Sequence, residues 1–201
     1  MENYIYHPFI SLIFSIILAA GTYSLGQYVL EYSKFDKVIN KASYIEFQYL
    51  SSGILFLLII LFPLISFSNI SGDILKIFAI FLCFLSIKFF KDIPIIINKI
   101  NFRSSDVFFK IFLLLLDFYF LLSLSPLTSA DILDYHIGSA LNILRFNSYV
   151  LFPEWFTSLQ SGSGETLIAL GLSIGSEQYG SIVQFSAILT ISGILLKFFK
   201  S

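Results

Sequence analysis

Ile111–Leu124 reads IFLLLLDFYFLLSL, and Ser125–Ser139 continues SPLTSADILDYHIGS. The first stretch carries one ionisable residue, Asp117, in a run of Leu, Phe and Ile. The second supplies two carboxylates, a tyrosine and one of the two histidines of the chain. Counted from Val107, the apolar run approaches the roughly 20 residues that a helix needs to cross a bilayer. Pro126 then stops the helix, because the ring removes a donor and restricts the residue before it.

Blocks of the same kind recur at Pro8–Tyr28, Tyr49–Phe67 and Ile74–Phe90. A less regular pair follows: Thr166–Ile174, which is short, and Gly180–Phe198. None shows the alternation of a membrane β-barrel strand, so the spans are expected to be helices. With 57% hydrophobic and 12% charged residues and a mean hydropathy of +0.86, the chain lies far from a soluble domain, where about 25% charged is usual. The expected fold is therefore an all-α, polytopic membrane protein. It has five to six transmembrane or re-entrant helices and an extracytoplasmic loop containing a surface helix. Residues 1–125 form about four helices, 126–164 the loop, and 165–201 a short helix and a final span.

A net charge of -1 gives no basic face for nucleic acid. The single Cys83 allows no intramolecular disulfide and is read as packing. The N-terminal MENYIYHPF lacks the positive region of a cleaved signal, so the first block is read as a retained span.

Orientation follows from Lys and Arg. Lys34, Lys37 and Lys41 lie in the first connection; Lys88, Lys91, Lys99, Arg103 and Lys110 flank the third. Both regions are expected in the cytoplasm. Residues 126–164 hold Arg145 against Asp131, Asp134 and Glu154, and are expected outside. Two outcomes remain open at the C-terminus. If 166–174 crosses fully, Lys197 and Lys200 lie outside; if it only dips in, they lie inside, as the charge rule prefers.

Within the loop, Thr128–Asp131 has the form of a capping box. A helix is expected from about Ala130 to Arg145, with Ile132, Leu133, Ile137, Leu141 and Leu144 on one apolar face. Such a helix lies at a membrane surface. Asp131 and Asp134 are the candidate carboxylates, with Tyr135 on the same turn. Each also has a plainer reading: Asp131 as a helix cap, Asp134 as a solvated carboxylate, His136 as an interfacial histidine, and Tyr135 and Trp155 as an aromatic belt. Glu165 at a helix N-terminus complements the helix dipole. His7, at a boundary, reads as structural. Asp117 is costly inside a span, which calls for a function or a partner.

SPLTSADILDYHIGSALNIL, then FPEW, then GSGETLIALGLSIGSEQYGSIVQFSAIL resembles the first large extracytoplasmic loop of the C-type (GT-C) glycosyltransferases. The resemblance is to the bacterial branch related to protein mannosyltransferases and the aminoarabinose transferase of lipid A, and it covers about residues 123–196. The pattern of that branch, Asp-x-Leu-x-Tyr-His, matches Asp131, Leu133, Tyr135 and His136. The resemblance implies a catalytic Asp131, with Asp134, Tyr135, His136, Arg145 and Glu165 binding substrate. It also implies a polyprenyl-phosphate-linked sugar as donor, a glycan, lipid or protein acceptor, and the bacterial cytoplasmic membrane as location. No metal site is expected and no cofactor, a divalent cation being left open. Members of the superfamily have eight or more spans and hold the donor phosphate on later helices, so the chain is expected to be an N-terminal portion. The competing expectations are a non-catalytic membrane scaffold or assembly subunit and, behind it, a small transporter built around Asp117.

Overall fold

The structure, a computed structural model, describes residues 7–33, 45–67, 70–99, 107–126, 132–149 and 162–200. Helix α1 (Pro8–Tyr32) starts where a proline and a cap favour it. Pro8 takes the first turn, where its missing N–H costs nothing, and His7 Nδ1 accepts from the Phe9 N–H at 3.4 Å. His7 is thus structural, as its boundary position suggested.

Small residues decide how α1 packs. It lies between α2 (Glu46–Ser66) and α3 (Ser71–Lys99), and its buried positions include Ser11, Ser15, Ala20, Gly21, Thr22, Ser24 and Gly26. A Cβ placed on Gly26 would stand 1.8 Å from the Tyr49 carbonyl oxygen, and one on Gly53 2.0 Å from that of Thr22. On the other side, a Cβ on Gly21 would stand 2.0 Å from the Leu82 carbonyl oxygen. Backbone meets backbone on both faces of α1, which is how helices associate when small residues line the contact.

α2 runs antiparallel to α1, and α3 returns parallel to it. The Lys88 ammonium sits 3.8 Å above the Tyr28 ring near the far end of both. This fixes two ends of the bundle: one where α2 turns into α3, and a lysine-rich one where α1 finishes. α4 (Val107–Ser123) ends ahead of Pro126, as expected, and packs through Leu116 and Phe120 on α7 (Tyr179–Lys200). Leu114, Phe118 and Leu121 of α4 are exposed, and so is Asp117.

At the α2–α3 end sits a cap. It consists of a π-helical turn (Ile132–Ile137), α5 (Gly138–Phe146) and α6 (Ser163–Leu172). The expected single surface helix is therefore a π turn running into an α-helix; Ala130 and Asp131 lie outside the described residues. A π turn is wider than an α turn and re-phases the face that follows it. Ile137 and Leu144 are buried as expected, but Ala140 and Ile143 join them, and Leu141 is only half-buried. The face packs on α6 and α3 rather than lying free. Asn147 closes α5 in the left-handed region at φ 55°, where Asn is better tolerated than most residues. Its side chain accepts from the Gly72 N–H at 3.0 Å and its carbonyl from the Ser71 N–H at 3.1 Å, tying the cap to the start of α3.

The direction of α7 follows from contacts at its two ends. The turn between α6 and α7 lies against the start of α1. Ser11 Oγ donates to Gln178 Oε1 at 2.6 Å and accepts from the Glu177 N–H at 3.0 Å, and Ser15 bonds to Ser176. Further along α7, Ser51 Oγ donates to the Ser186 carbonyl at 3.0 Å, and Thr190 donates to the Phe47 carbonyl at 3.3 Å. α7 thus runs from the capped end towards the lysine-rich end.

All six apolar blocks of the sequence are helices, and no strand occurs among the described residues. Among those residues α1 and α2 are long and apolar enough to cross a membrane.

Candidate functional site

The cap gathers the polar side chains that the sequence singled out. Gly162 is the N-cap of α6, and the third residue of the helix, Glu165, turns back so that Oε2 accepts the Gly162 N–H at 2.7 Å. Half a capping box is formed, since glycine has no side chain to complete it. The other oxygen, Oε1, lies 2.9 Å from Nδ1 of His136 in the π turn. The Glu165 side chain is 6% exposed and that of His136 is 32% exposed.

This asymmetry sets the chemistry. A buried carboxylate is stable only with donors on its oxygens, and Glu165 has one on each. As an acceptor it selects the tautomer with the proton on Nδ1, leaving Nε2 as the basic nitrogen. Nε2 has no hydrogen-bond partner among the described residues. The Tyr135 ring lies on the imidazole, with centroids 4.4 Å apart and planes tilted by 42°.

Tyr149 extends the network on the other side of α6. Its hydroxyl donates to the Gly162 carbonyl and shares a 2.8 Å hydrogen bond with Thr166 Oγ1. Its ring packs edge-on against Phe62 of α2. Burial, with the Glu165 carboxylate nearby, pushes the phenol up to about 12, against the opposing pull of the Thr166 bond. Glu177, half-buried in the α6–α7 turn, is likewise raised by burial.

The structure brings together three of the expected site residues: Tyr135, His136 and Glu165. Arg145 lies on the exposed face of α5, opposite Ala140 and Ile143, and forms no ion pair among the described residues. Asp131 lies outside the described residues. The backbone of Asp134 belongs to the π turn, but its side chain is outside the description. Among the described residues no group of three or more His, Cys, Asp or Glu side chains is placed to hold a metal ion.

Tyr149, Thr166 and Asn147 were missed as members of this cluster. Asn147 carried a usable signal, an Asn directly after an amphipathic helix, where left-handed caps favour Asn after Gly. Tyr149 carried none, because it reads as one more aromatic in an interfacial stretch.

The model of the DUF1420 N-terminal domain family matches residues 85–201, more than half of the chain, and the chain belongs to that family. The matched region takes in the second half of α3, α4, the whole cap and α7, and so every residue of the His136–Glu165 network. No curated protein and no solved structure matches the chain.

Proposed function

We propose that the chain is the membrane-embedded part of a glycosyltransferase of the C-type, taking a sugar from a polyprenyl phosphate at the capped end of the bundle. The observation that carries the reading is the His136–Glu165 pair: a buried carboxylate orients a half-exposed imidazole within a few residues of Asp131. The pair stands at one end of helices long enough to span a bilayer. Much large apolar surface on α2, α3 and α4 faces outward, as lipid-facing helices require. The positive-inside rule then sets the lysine-rich end in the cytoplasm and the cap outside, in a bacterial inner membrane. In this orientation α4 and α7 join α1, α2 and α3 as spans, and α6 is re-entrant.

In the proposed reaction the acceptor hydroxyl oxygen bonds to the anomeric carbon of the sugar. The bond from that carbon to the phosphate oxygen breaks, and the electron pair leaves with the polyprenyl phosphate. The hydroxyl proton passes to the Asp131 carboxylate, as general-base catalysis requires. His136, oriented by Glu165, offers Nε2 as a hydrogen-bonding group for the substrate.

A non-catalytic membrane subunit is the second reading. Exposed Asp117 on the outer face of α4 favours it, since a carboxylate in an apolar face suits a contact with another helix. Sugar transfer from a polyprenyl-phosphate donor in membranes separates the two. In the complete enzyme, we expect Asp131→Asn to lower transfer about 10²-fold or more at matched expression. Full activity of that variant, or none in the complete wild-type enzyme with any donor, sinks the transferase reading. Labelling from outside at a cysteine placed at Ser104, with protection at Ser148, reverses the orientation.

A further inference from the structure

On the outside of the bundle, in its capped half, a groove of about 670 Å³ runs between α1 and α3. Lys76, Ile80, Phe84 and Ile87 form its floor, at the four- and three-residue spacing that keeps side chains on one helix face. Ile10 and Phe14 of α1 form the facing wall, and Ser173, just past α6, closes the upper end. Ser173 Oγ is already spent on the Leu170 carbonyl at 2.7 Å. Lys76 is the only charged residue lining the groove. Two acidic residues lie near. Asp73, one turn earlier on α3, is exposed; Glu177, in the α6–α7 turn, accepts from Gln178 Nε2 at 3.0 Å. Neither lines the groove, and neither pairs with Lys76 among the described residues.

The groove therefore offers one positive charge at its upper end and an apolar track below it. From Lys76 to Ile87 the track is about 17 Å long at 1.5 Å per residue. Half of a bilayer's hydrocarbon core is about 15 Å, so the track matches one acyl chain in one leaflet. A half-buried lysine near the start of a spanning helix reaches its ammonium towards the headgroup layer along its own apolar stem. Charge and length together specify the occupant. We infer that the groove binds an anionic glycerophospholipid, with the phosphate on Lys76 and one acyl chain laid along α3 towards Ile87. The inference rests on the membrane setting of the proposed function and not on sugar transfer.

The test uses the whole chain in phosphatidylcholine nanodiscs. A trace of dioleoyl-phosphatidylglycerol with a diazirine midway along one acyl chain is photolysed, and the labelled peptides are mapped by mass spectrometry. Saturable labelling of residues 80–87 is expected. Unlabelled phosphatidylglycerol should displace the label roughly fivefold better per mole than the host lipid, the scale of one lysine at a membrane surface. Dioleoylglycerol, which has the chains and no phosphate, should compete no better than the host lipid. Lys76→Gln should erase the phosphatidylglycerol preference, and Lys76→Arg should keep it. Labelling spread evenly over the outer faces of α2, α3 and α4 would overturn the inference. So would a preference that survives Lys76→Gln, or equal competition by dioleoylglycerol. Stronger competition by undecaprenyl phosphate than by phosphatidylglycerol would also overturn it, and would give the groove to an isoprenoid chain instead.

Discussion

At the crossings of α1 with α2 and α3, glycines let main chain lie against main chain. Within the cap and at its junction with the bundle, the contacts are side chains: His136 with Glu165, Tyr149 with Thr166, and Asn147 with the Gly72 N–H. Where the glycines meet carbonyls, the contact is held by shape, with no side-chain group at the point of approach. The second kind of contact is held by a few polar bonds, each of which can be exchanged with a substrate or altered by chemistry. A bundle built this way keeps its rigid part in the crossings and its chemistry in the cap, and this is why we look for function there.

The sharpest test of that division is a methyl group. Gly26→Ala places a Cβ 1.8 Å from the Tyr49 carbonyl oxygen, and the obstacle is main chain that no rotamer can move aside. Overpacking usually costs about 1–3 kcal/mol, and this site should lie at or above the top of that range. Loss of monodisperse protein on purification in detergent is the expected outcome. In the cap, a Cβ on Gly164 meets nothing within 4 Å. Gly164→Ala, inside α6, should stabilise by up to about 1 kcal/mol through helix propensity. Equal tolerance at both sites would mean that the crossings are not backbone contacts.

Next in size is Glu165. Glu165→Ala strips a buried acceptor from the Gly162 N–H and from His136 Nδ1 together. The cost should be about 2–4 kcal/mol, since both donors lose their partner away from water. Glu165→Gln keeps an acceptor oxygen and should cost about half as much. Hydrogen exchange gives the location as well as the size. Amides of α5 and α6 should exchange faster in Glu165→Ala, while those of α1 stay unchanged. Acceleration spread evenly over α1 and the cap would erase the difference between the two regions.

These two sites also show which parts of the molecule the sequence revealed. Helices came through as apolar blocks, because composition alone decides them over lengths such as Pro8–Tyr28. The end of α4 came through because Pro126 marks it. Three-dimensional pairing did not. Gly21, Gly26 and Gly53 look like ordinary weak points in helical runs, and nothing local says that Gly26 meets Tyr49. Glu165 was visible as a helix-start carboxylate and His136 as part of a short motif. Their pairing spans 29 positions and leaves no periodic trace. The contacts that aim α7 left no trace for a related reason: the residues that make them, Ser11, Ser15, Ser176 and Gln178, are uncharged polar side chains that read as loop or filler. Asp131, the carboxylate on which the transferase reading most depends, lies outside the described residues.

The smallest expected effect is at Tyr149, and it separates the regions by pH. Tyr149→Phe removes a hydroxyl that donates to the Gly162 carbonyl and bonds to Thr166, but keeps the ring against Phe62. At neutral pH the loss should be about 1 kcal/mol, the usual net worth of a hydrogen bond. The phenol is raised to about 12 in the fold from its ordinary value of 10.0. Between these values the unfolded chain releases the proton and the folded chain retains it. Ionisation therefore favours unfolding, so the stability from this group is intact below pH 10 and falls as pH rises towards 12. Wild-type protein should lose stability across that window more steeply than Tyr149→Phe, in unfolding followed by a cap-specific probe such as a fluorophore at Ser148. Identical slopes in the two proteins would mean that Tyr149 is not buried against Glu165 and Thr166, and the cap would then lose one of its three polar ties.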